Sequence, residues 1–504
     1  MNNGNINNNN KTNNNYVRCV REHEFTFQEL YKAYKDCRKR KRNTINALKF
    51  EINLESNLEE LVSSLNNKTY KPTRSVCFSI TDPKPREVFA ADFKDRVIHH
   101  LLYNYLNPSY EKIFIYDSFA CRKDKGTLKS VKRVQSFSCK ITKNSKEKAY
   151  YLQLDIHNFF MSIDKKILFQ MLSKKIKAKN WLWLTKTIIF HNPIDNYFQK
   201  GPNWKQSKVP EHKTLFNVKE NKGLPIGNLT SQFFANVYLN ELDQYIKHKL
   251  KIKHYARYVD DFVIFSKSKA ELISWKQEII RFLKEELNLE LKPKIVLKPV
   301  SSGINFVGYI IKPKYLLPRN RVIKNIYIRI KAFKKDAIST INNRKVLDFK
   351  STPKFIKSFN SYLGYLKPTK NKTLINNIIK DNNFLELLFI FEKQKIKDKY
   401  SNKISNFKEQ FIFFKGKQEN TIVLLDVGKY YRTLNSDAIF LSKNLGFLLN
   451  KVPNYVFVNI PKTNIINIIT NLLLNGKNTL ITEQIRQELG YYRATKQIYL
   501  SLFF

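Results

Sequence analysis

Three aspartates are the residues of this chain whose type and setting can do chemistry. Asp260 and Asp261 stand side by side in His254-Tyr-Ala-Arg-Tyr-Val-Asp-Asp-Phe-Val-Ile-Phe-Ser266, between two apolar runs. Tyr255 with Arg257 through Val259 can form one strand and Phe262 through Phe265 its partner, which sets both acids at the exposed tip of a β-hairpin. Asp155 ends a second strand-like run, Tyr151-Leu-Gln-Leu-Asp155, before the chain turns into helix. Carboxylates presented by strands at one point can hold a divalent metal. Read alone, an Asp-Asp turn is more often a solvated hairpin corner.

The intervening elements must bring these acids together. Between them lies Gly223-Leu-Pro-Ile-Gly-Asn-Leu-Thr-Ser-Gln232, a glycine-bearing loop that feeds a helix from Phe233 through Leu250. Strand with acid, loop and helix, then hairpin with two acids is the order of a polymerase palm. The constellation resembles a reverse transcriptase. That resemblance implies an α+β, right-hand polymerase fold with fingers, palm and helical thumb.

The chain divides accordingly. We expect a disordered Asn-rich tail over 1–15, N-terminal helices and fingers over 16–150, palm with part of the fingers over 151–313, and a helical thumb over 314–396. A mostly polar, basic linker follows at 397–419, despite its apolar Phe411-Ile-Phe-Phe414. A second α/β domain occupies 420–504. Helical spacing predicts two helices between Phe25 and Leu65, flanking the basic run Arg38-Lys-Arg-Lys-Arg42, which is either a solvated helix face or an RNA contact.

Composition agrees with a nucleic-acid partner. With 90 Lys and Arg against 42 Asp and Glu, the formal charge of +48 favours a polyanion over an acidic protein. A chain of 504 residues with 42% hydrophobic content can bury a sizeable core in more than one domain. The five cysteines form no Cys-x-x-Cys pair and no zinc spacing with His, and their odd number argues against a disulfide framework. A cytoplasmic setting fits, with no signal peptide and no apolar run that could span a bilayer.

The resemblance carries roles to residues of this chain. Nucleotidyl transfer of this kind implies two Mg²⁺ ions, with Mn²⁺ as a substitute. Asp155 and Asp260 are then the bridging ligands, the carbonyl of Ile156 is a ligand of the nucleotide metal, and Asp261 completes or supports the site. Among fingers residues, Arg86 and Lys84 would approach the triphosphate, since a guanidinium fork suits phosphate oxygens. Arg122, in the turn before a helix that starts near Thr127, would face the template or the triphosphate. Phe160, five residues beyond Asp155, stands where the family carries the aromatic that rejects a ribose 2′ hydroxyl. Either Lys292 or Lys294 would stabilise pyrophosphate. Phe306, Gly308 and Tyr309 resemble the primer grip, and five of only thirteen glycines fall in these motifs.

The loop before the palm helix suggests a subclass. Most prokaryotic reverse transcriptases begin it with Gln-Gly and end it with Ser-Pro, whereas this chain has Ile226-Gly227 and Ser231-Gln232. The departure resembles diversity-generating retroelement enzymes, as do His212-Lys-Thr-Leu-Phe216 and Ser361-Tyr-Leu-Gly-Tyr-Leu366. It implies error-prone copying of a template RNA into cDNA from dNTPs, with Gly223, Ile226, Gly227, Ser231 and Gln232 as a fidelity loop and a small basic accessory protein as partner. Two other readings stay open: an antiphage-defence enzyme with a dedicated noncoding RNA, and a catalytically silent nucleic-acid scaffold.

In the C-terminal part, strand, helix and turn signals alternate: Thr421 to Val427 as strand, a helix capped by Ser436 and stopped by Gly446, strand at Tyr455 to Ile460, helix at Ile465 to Leu474, and strand at Asn478 to Thr482. This order, with Gly428-Lys-Tyr-Tyr-Arg432 and Thr482-Glu-Gln484, resembles the N-terminal mismatch-recognition domain of MutS. The family's wedge of Phe and Glu is here Tyr430 and Arg432, an exchange that removes a base-reading acceptor and adds phosphate attraction. Nucleic-acid contact is the expectation, and a small α/β protein-contact domain with Tyr430 in its core is the alternative.

Overall fold

The computed structural model describes residues 22–39, 44–81, 84–201, 209–341, 344–348, 351–392, 395–398, 411–412, 414–415, 420–453, 455–484 and 492–499. The Asn-rich tract, Cys19 and residues 40–42 of the basic run lie outside them. The chain forms two compact units, the first ending near Val307 with Ile311–Lys314 returning to it, the second running from Tyr315 with Gly308–Ile310 added.

Unit 1 opens with α1 (Phe27–Arg38), started by a reciprocal cap: the Thr26 hydroxyl accepts from the Glu29 amide at 3.3 Å and the Glu29 carboxylate accepts from the Thr26 amide at 3.0 Å. Three helices rather than the two expected reach Leu65. The second expected helix, through Leu54 and Leu65, is α3 (Leu54–Asn66); α2 (Ile45–Ile52) is the additional one, set off from α3 by Asn53 at φ −121°, ψ 50°. β1 (Ser75–Ile80) and β2 (Arg86–Ala90) pair antiparallel across the proline turn, and α4 (Phe93–Glu111) follows, capped by Asp92. α5 (Thr127–Ile141) precedes β3 (Tyr150–Asp155), α6 (Phe159–Ser162), α7 (Lys165–Ser173) and α8 (Lys179–Phe190). Short β4 (Tyr197–Gln199) lies parallel to β1. α9 (Leu229–Gln244) continues as one π turn to Lys249.

The sheet that carries the acids has the order β5-β6-β3-β7, with β5 (Tyr255–Tyr258), β6 (Asp261–Ser266) and β7 (Val296–Pro299) all antiparallel to their neighbours. Phe262, Val263, Ile264 and Phe265 are buried in succession, so both faces of β6 are covered. On one face Leu152, Leu154, Phe262 and Ile264 join residues of α4, α9 and α10 (Lys269–Leu287) in the main core. On the other, Phe265 meets Phe137 of α5 at 6.3 Å.

In unit 2 the stretch expected as largely helical contains helices Asn320–Ala337, Thr352–Leu366, Lys372–Lys380 and Phe384–Leu388, and also strands Ile338–Ile341, Arg344–Asp348, Phe389–Glu392 and Lys395–Asp398. Arg344–Asp348 pairs with Tyr492–Tyr499, a partner too distant in sequence for local periodicity to reveal. Strand Thr421–Asp426 runs parallel to Asn478–Gln484 and antiparallel to Tyr430–Leu434. Its alternate residues serve two cores: Val423 and Leu425 pack with Phe333, Phe355 and Phe359 of the helices, while Ile422 and Leu424 pack with Leu441, Ile469 and Leu472. Phe411 and Phe414, from the segment expected as linker, are buried in the first of these cores. Helix Asn435–Leu445 starts one residue before Ser436, so that serine lies in its first turn and is not its cap; Asp437 ties the start down by accepting from the Val423 amide at 3.0 Å and Lys415 at 2.5 Å. Gly446 ends the helix at φ 69°. Among the described residues no helix is long and apolar enough to cross a membrane.

Candidate active site

Cross-strand register brings the three aspartates to one end of the sheet. Asp155 stands opposite Asp261, and Tyr258 opposite Asp261 on the other side. The Ile156 amide donates to the Asp260 carbonyl at 3.2 Å, which closes the hairpin tip onto β3. Val259, just before Asp260, has φ 55°, an uncommon conformation for a β-branched residue and a place where strain is stored. Arg257 holds it there. Its guanidinium, 0% exposed, donates to the Val259 carbonyl at 2.9 Å and to the Ser118 hydroxyl at 3.0 Å, and grips Asp243 through Nε at 2.8 Å and Nη2 at 2.5 Å. Tyr255 adds a hydroxyl to the same carboxylate at 2.5 Å. The sequence reading missed this buried pair, because an Arg in a strand gives no local sign of its partner.

The electrostatics single out Asp260. Burial, and then the Asp155 carboxylate, hold its pKa above the ordinary carboxylate value, while Lys292 and Arg86 pull it back. Lys292, and not Lys294, reaches the acids: its ammonium lies 2.6 and 2.7 Å from the two oxygens of Asp155, and its amide donates to the Asp155 carbonyl at 2.8 Å. Lys294 is exposed. The Asp261 carboxylate accepts from Gln153 at 2.9 Å. Among the described residues no three side chains are gathered at metal-ligating distance. The donor chemistry nonetheless fits a divalent cation, since hard carboxylate oxygens repel one another at Asp155 and Asp260 and a cation there would relieve the repulsion.

Other expected residues divide into those brought near and those committed elsewhere. Arg86 and Lys84 are exposed at the β1–β2 end, and Arg86 lies within electrostatic reach of Asp260. Arg122 is 5% exposed and engaged with Glu111 at 2.8 Å and the carbonyls of Ile115 and Ser118 at 2.6 and 2.8 Å, so it bonds the loop rather than offering a free fork. Phe160 packs edge-on to Phe159 at 5.6 Å and shares a small cluster with Phe89, Met161, Leu215 and Ile226. Ser231 is buried and Gln232 exposed on the first turn of α9. Phe306 is buried. The Gly308 carbonyl accepts from the Tyr365 hydroxyl, and Tyr309 stacks on Tyr365 at 4.4 Å while donating to its carbonyl at 2.7 Å. Tyr430 is 43% exposed, and Arg432 bonds Asn459 at 2.8 Å over the Phe457 ring at 4.3 Å.

Gly227 locks the loop to β2. The Ile226 carbonyl accepts from the Phe89 amide at 2.8 Å, and with Gly227 at φ 137° an added Cβ would stand 2.4 Å from the Phe89 carbonyl oxygen. Gly223, by contrast, would meet only side chains, the nearest at 3.0 Å. Gly227→Ala is expected to cost about 1–3 kcal/mol, because backbone must move. All four tryptophans lie in unit 1, so a urea titration followed by tryptophan fluorescence reads that loss.

Comparison with known proteins follows the same geography. Residues 81–311, which hold all three aspartates, match the family model described as reverse transcriptase (RNA-dependent DNA polymerase). Residues 405–497 match the model described as MutS domain I, beginning inside the segment expected as linker. The chain is therefore similar to reverse transcriptases over its middle part and to MutS domain I over its C-terminal part. It is 23% identical over 329 residues to the group II intron-encoded protein LtrA of Lactococcus lactis subsp. cremoris, covering 51% of this chain and 50% of LtrA. It is 21% identical over 320 residues to protein YkfC of Escherichia coli (strain K12), covering 56% of this chain and 78% of YkfC. The chain thus spans half the length of LtrA. A solved structure of apo telomerase from Candida Tropicalis, truncated from its C-terminal domain, aligns with a TM-score of 0.35 at 14% identity, over 53% of this chain and 60% of that one.

Proposed function

We propose that the chain is an RNA-directed DNA polymerase that copies a template RNA into cDNA, in the manner of a diversity-generating retroelement enzyme. The observation that carries the polymerase reading is the end of the β3–β6 pair: Asp155 stands opposite Asp261, and the turn residue Asp260, whose carbonyl accepts from the Ile156 amide, feels the Asp155 carboxylate, all inside the region that matches reverse transcriptases. Asp155 and Asp260, with the Ile156 carbonyl, would hold divalent cations and Asp261 would support them. Cations held there would supply activation of the primer 3′ hydroxyl and charge neutralisation for the leaving pyrophosphate.

The chain's own groups do the rest. Arg86, aided by Lys84, clamps the triphosphate from the β1–β2 end. The Lys292 ammonium, paired with Asp155 in the free protein, turns to the phosphates when nucleotide arrives and gives its charge to the leaving group. Phe160 stands by the sugar and excludes a 2′ hydroxyl by contact. The helices of unit 2 from Asn320 onward, rich in lysine on their exposed faces, bind the duplex through phosphates without reading sequence. The exposed ring of Tyr430 would stack on a base of a nucleic acid.

Frequent errors at template adenine would follow from the packing of Ile226 in one cluster with Phe160. A change at Ile226 shifts the wall of the nascent pair, where discrimination rests on a few kcal/mol. Ile226→Gln combined with Gln232→Pro is expected to lower misincorporation at adenine by about tenfold. The test is primer extension by purified protein on a defined RNA template with Mg²⁺, followed by sequencing of the cDNA. Accurate synthesis by the wild type would remove the retroelement reading while leaving the polymerase.

A further inference from the structure

One cation near the site lies within His212-Lys-Thr-Leu-Phe216, a stretch to which the resemblance gave no role. Lys213 sits in a short 3-10 turn, Glu211–Lys213, and is half-buried, yet among the described residues no carboxylate lies within salt-bridge distance of it. Its ammonium lies within electrostatic reach of Lys292, Lys84, Arg86 and Asp155; burial, and then those three cations, depress its pKa. Like charges gathered in this way repel, and a half-buried ammonium is desolvated as well. The arrangement costs free energy until a polyanion enters.

The loop is not there by drift. Glu87, the residue after Arg86, is buried and holds the loop just beyond Lys213: its carboxylate accepts from the Thr214 hydroxyl at 2.6 Å and from the Leu215 amide at 2.9 Å. Burial raises the pKa of that carboxyl, and the structure retains it with both partners satisfied. On the other side of Lys213, the His212 ring packs against His157 at 6.1 Å, two residues past Asp155. The two neighbours of Lys213 are thus tied to the strand that carries Arg86 and to the end of the strand that carries Asp155.

We propose that Lys213 is a further binding residue for the triphosphate of the incoming nucleotide, positioned by the Glu87 clamp on Thr214 and Leu215. This rests on the polymerase reading above. It assigns Lys213 a point charge on the polyphosphate alongside Arg86 and Lys292, and Glu87 a positioning role with no contact to nucleotide.

The test separates binding from chemistry. A template and primer ended with a dideoxynucleotide are bound to the protein, and the Kd of the next dNTP is measured beside KM and kcat on an extendable primer. For Lys213→Ala the Kd and KM should both rise about tenfold, with Lys213→Arg within about threefold of the wild type. Thr214→Val, which keeps the shape but removes the hydroxyl held by Glu87, should raise the Kd in the same direction by a smaller factor. A Kd for Lys213→Ala within twofold of a wild type that extends primers would overturn the proposal. A wild type that neither extends primers nor binds dNTP, beside an equally inert Asp260→Ala, would instead remove the polymerase reading, and the proposal with it.

Discussion

Asp260→Ala is expected to lower primer extension by at least about 10²–10³-fold while leaving the protein as stable as before or more so. The two effects part because Asp260 is held in an unfavourable state. Burial and the Asp155 carboxylate both raise its pKa, so its charge costs folding free energy even as it serves the reaction. The sign is open to a direct check. A carboxyl whose pKa is raised on folding contributes stability at low pH that is lost as pH rises from the ordinary carboxylate range through the raised value. In chelator-treated protein, Asp260→Asn should therefore flatten the decline of melting temperature over that window relative to the wild type. Single-turnover extension and thermal melts on the same preparations decide the matter, and an alanine variant within tenfold of wild-type rate would sink the assignment of Asp260.

The largest effect on stability is expected at Arg257. Arg257→Met leaves the Asp243 carboxylate buried without its cation and should cost about 3–5 kcal/mol. The Val259 carbonyl would lose its donor at the same time, so the tip carrying Asp260 would relax from its left-handed backbone. Activity should fall further than the loss of folded protein explains. Replacing both members, Arg257→Met with Asp243→Leu, should recover much of the stability, since an apolar pair carries no desolvation cost, but not the activity, because the carbonyl still lacks its donor. Tryptophan fluorescence in urea gives the first quantity and primer extension the second. A single variant within 1 kcal/mol of the wild type, or a double variant with full activity, would refute this account of the pair.

Much of the site was legible because its signals are local. Two short apolar runs flanking Asp260 and Asp261 give a hairpin whichever way the rest of the chain folds, and a strand ending in Asp155 is visible from Tyr151 onward. What pairs with what was not. Lys292 and Lys294 are equivalent in sequence, and only the fold distinguishes them, by the hydrogen bonds that the Lys292 amide and ammonium give to Asp155. Arg122 has the composition of a phosphate ligand, but Glu111 at the end of α4 claims it, a contact set by how the helix and the following loop fold back. Glu87 was hidden for the opposite reason: a carboxylate next to Arg86 reads as its surface partner, whereas alternation along β2 turns the two to opposite faces. Phe411 and Phe414 were noticed as apolar and set aside for their polar surroundings, yet two rings suffice to anchor a segment when a core is waiting for them. The helix Ile45–Ile52 was missed because its eight residues bury only Ala47 and Phe50, too few to show a helical period.

The core that Val423, Leu425, Leu434 and Leu480 share with the aromatic rings of helices Asn320–Ala337 and Thr352–Leu366 has a consequence for ancestry. A graft that keeps its own interior can be lost again, and its host returns to what it was. Here the two stretches share one interior, so deletion of either would bare the apolar flank of the other, and a lineage that carries them in this form has no short mutational route to losing one.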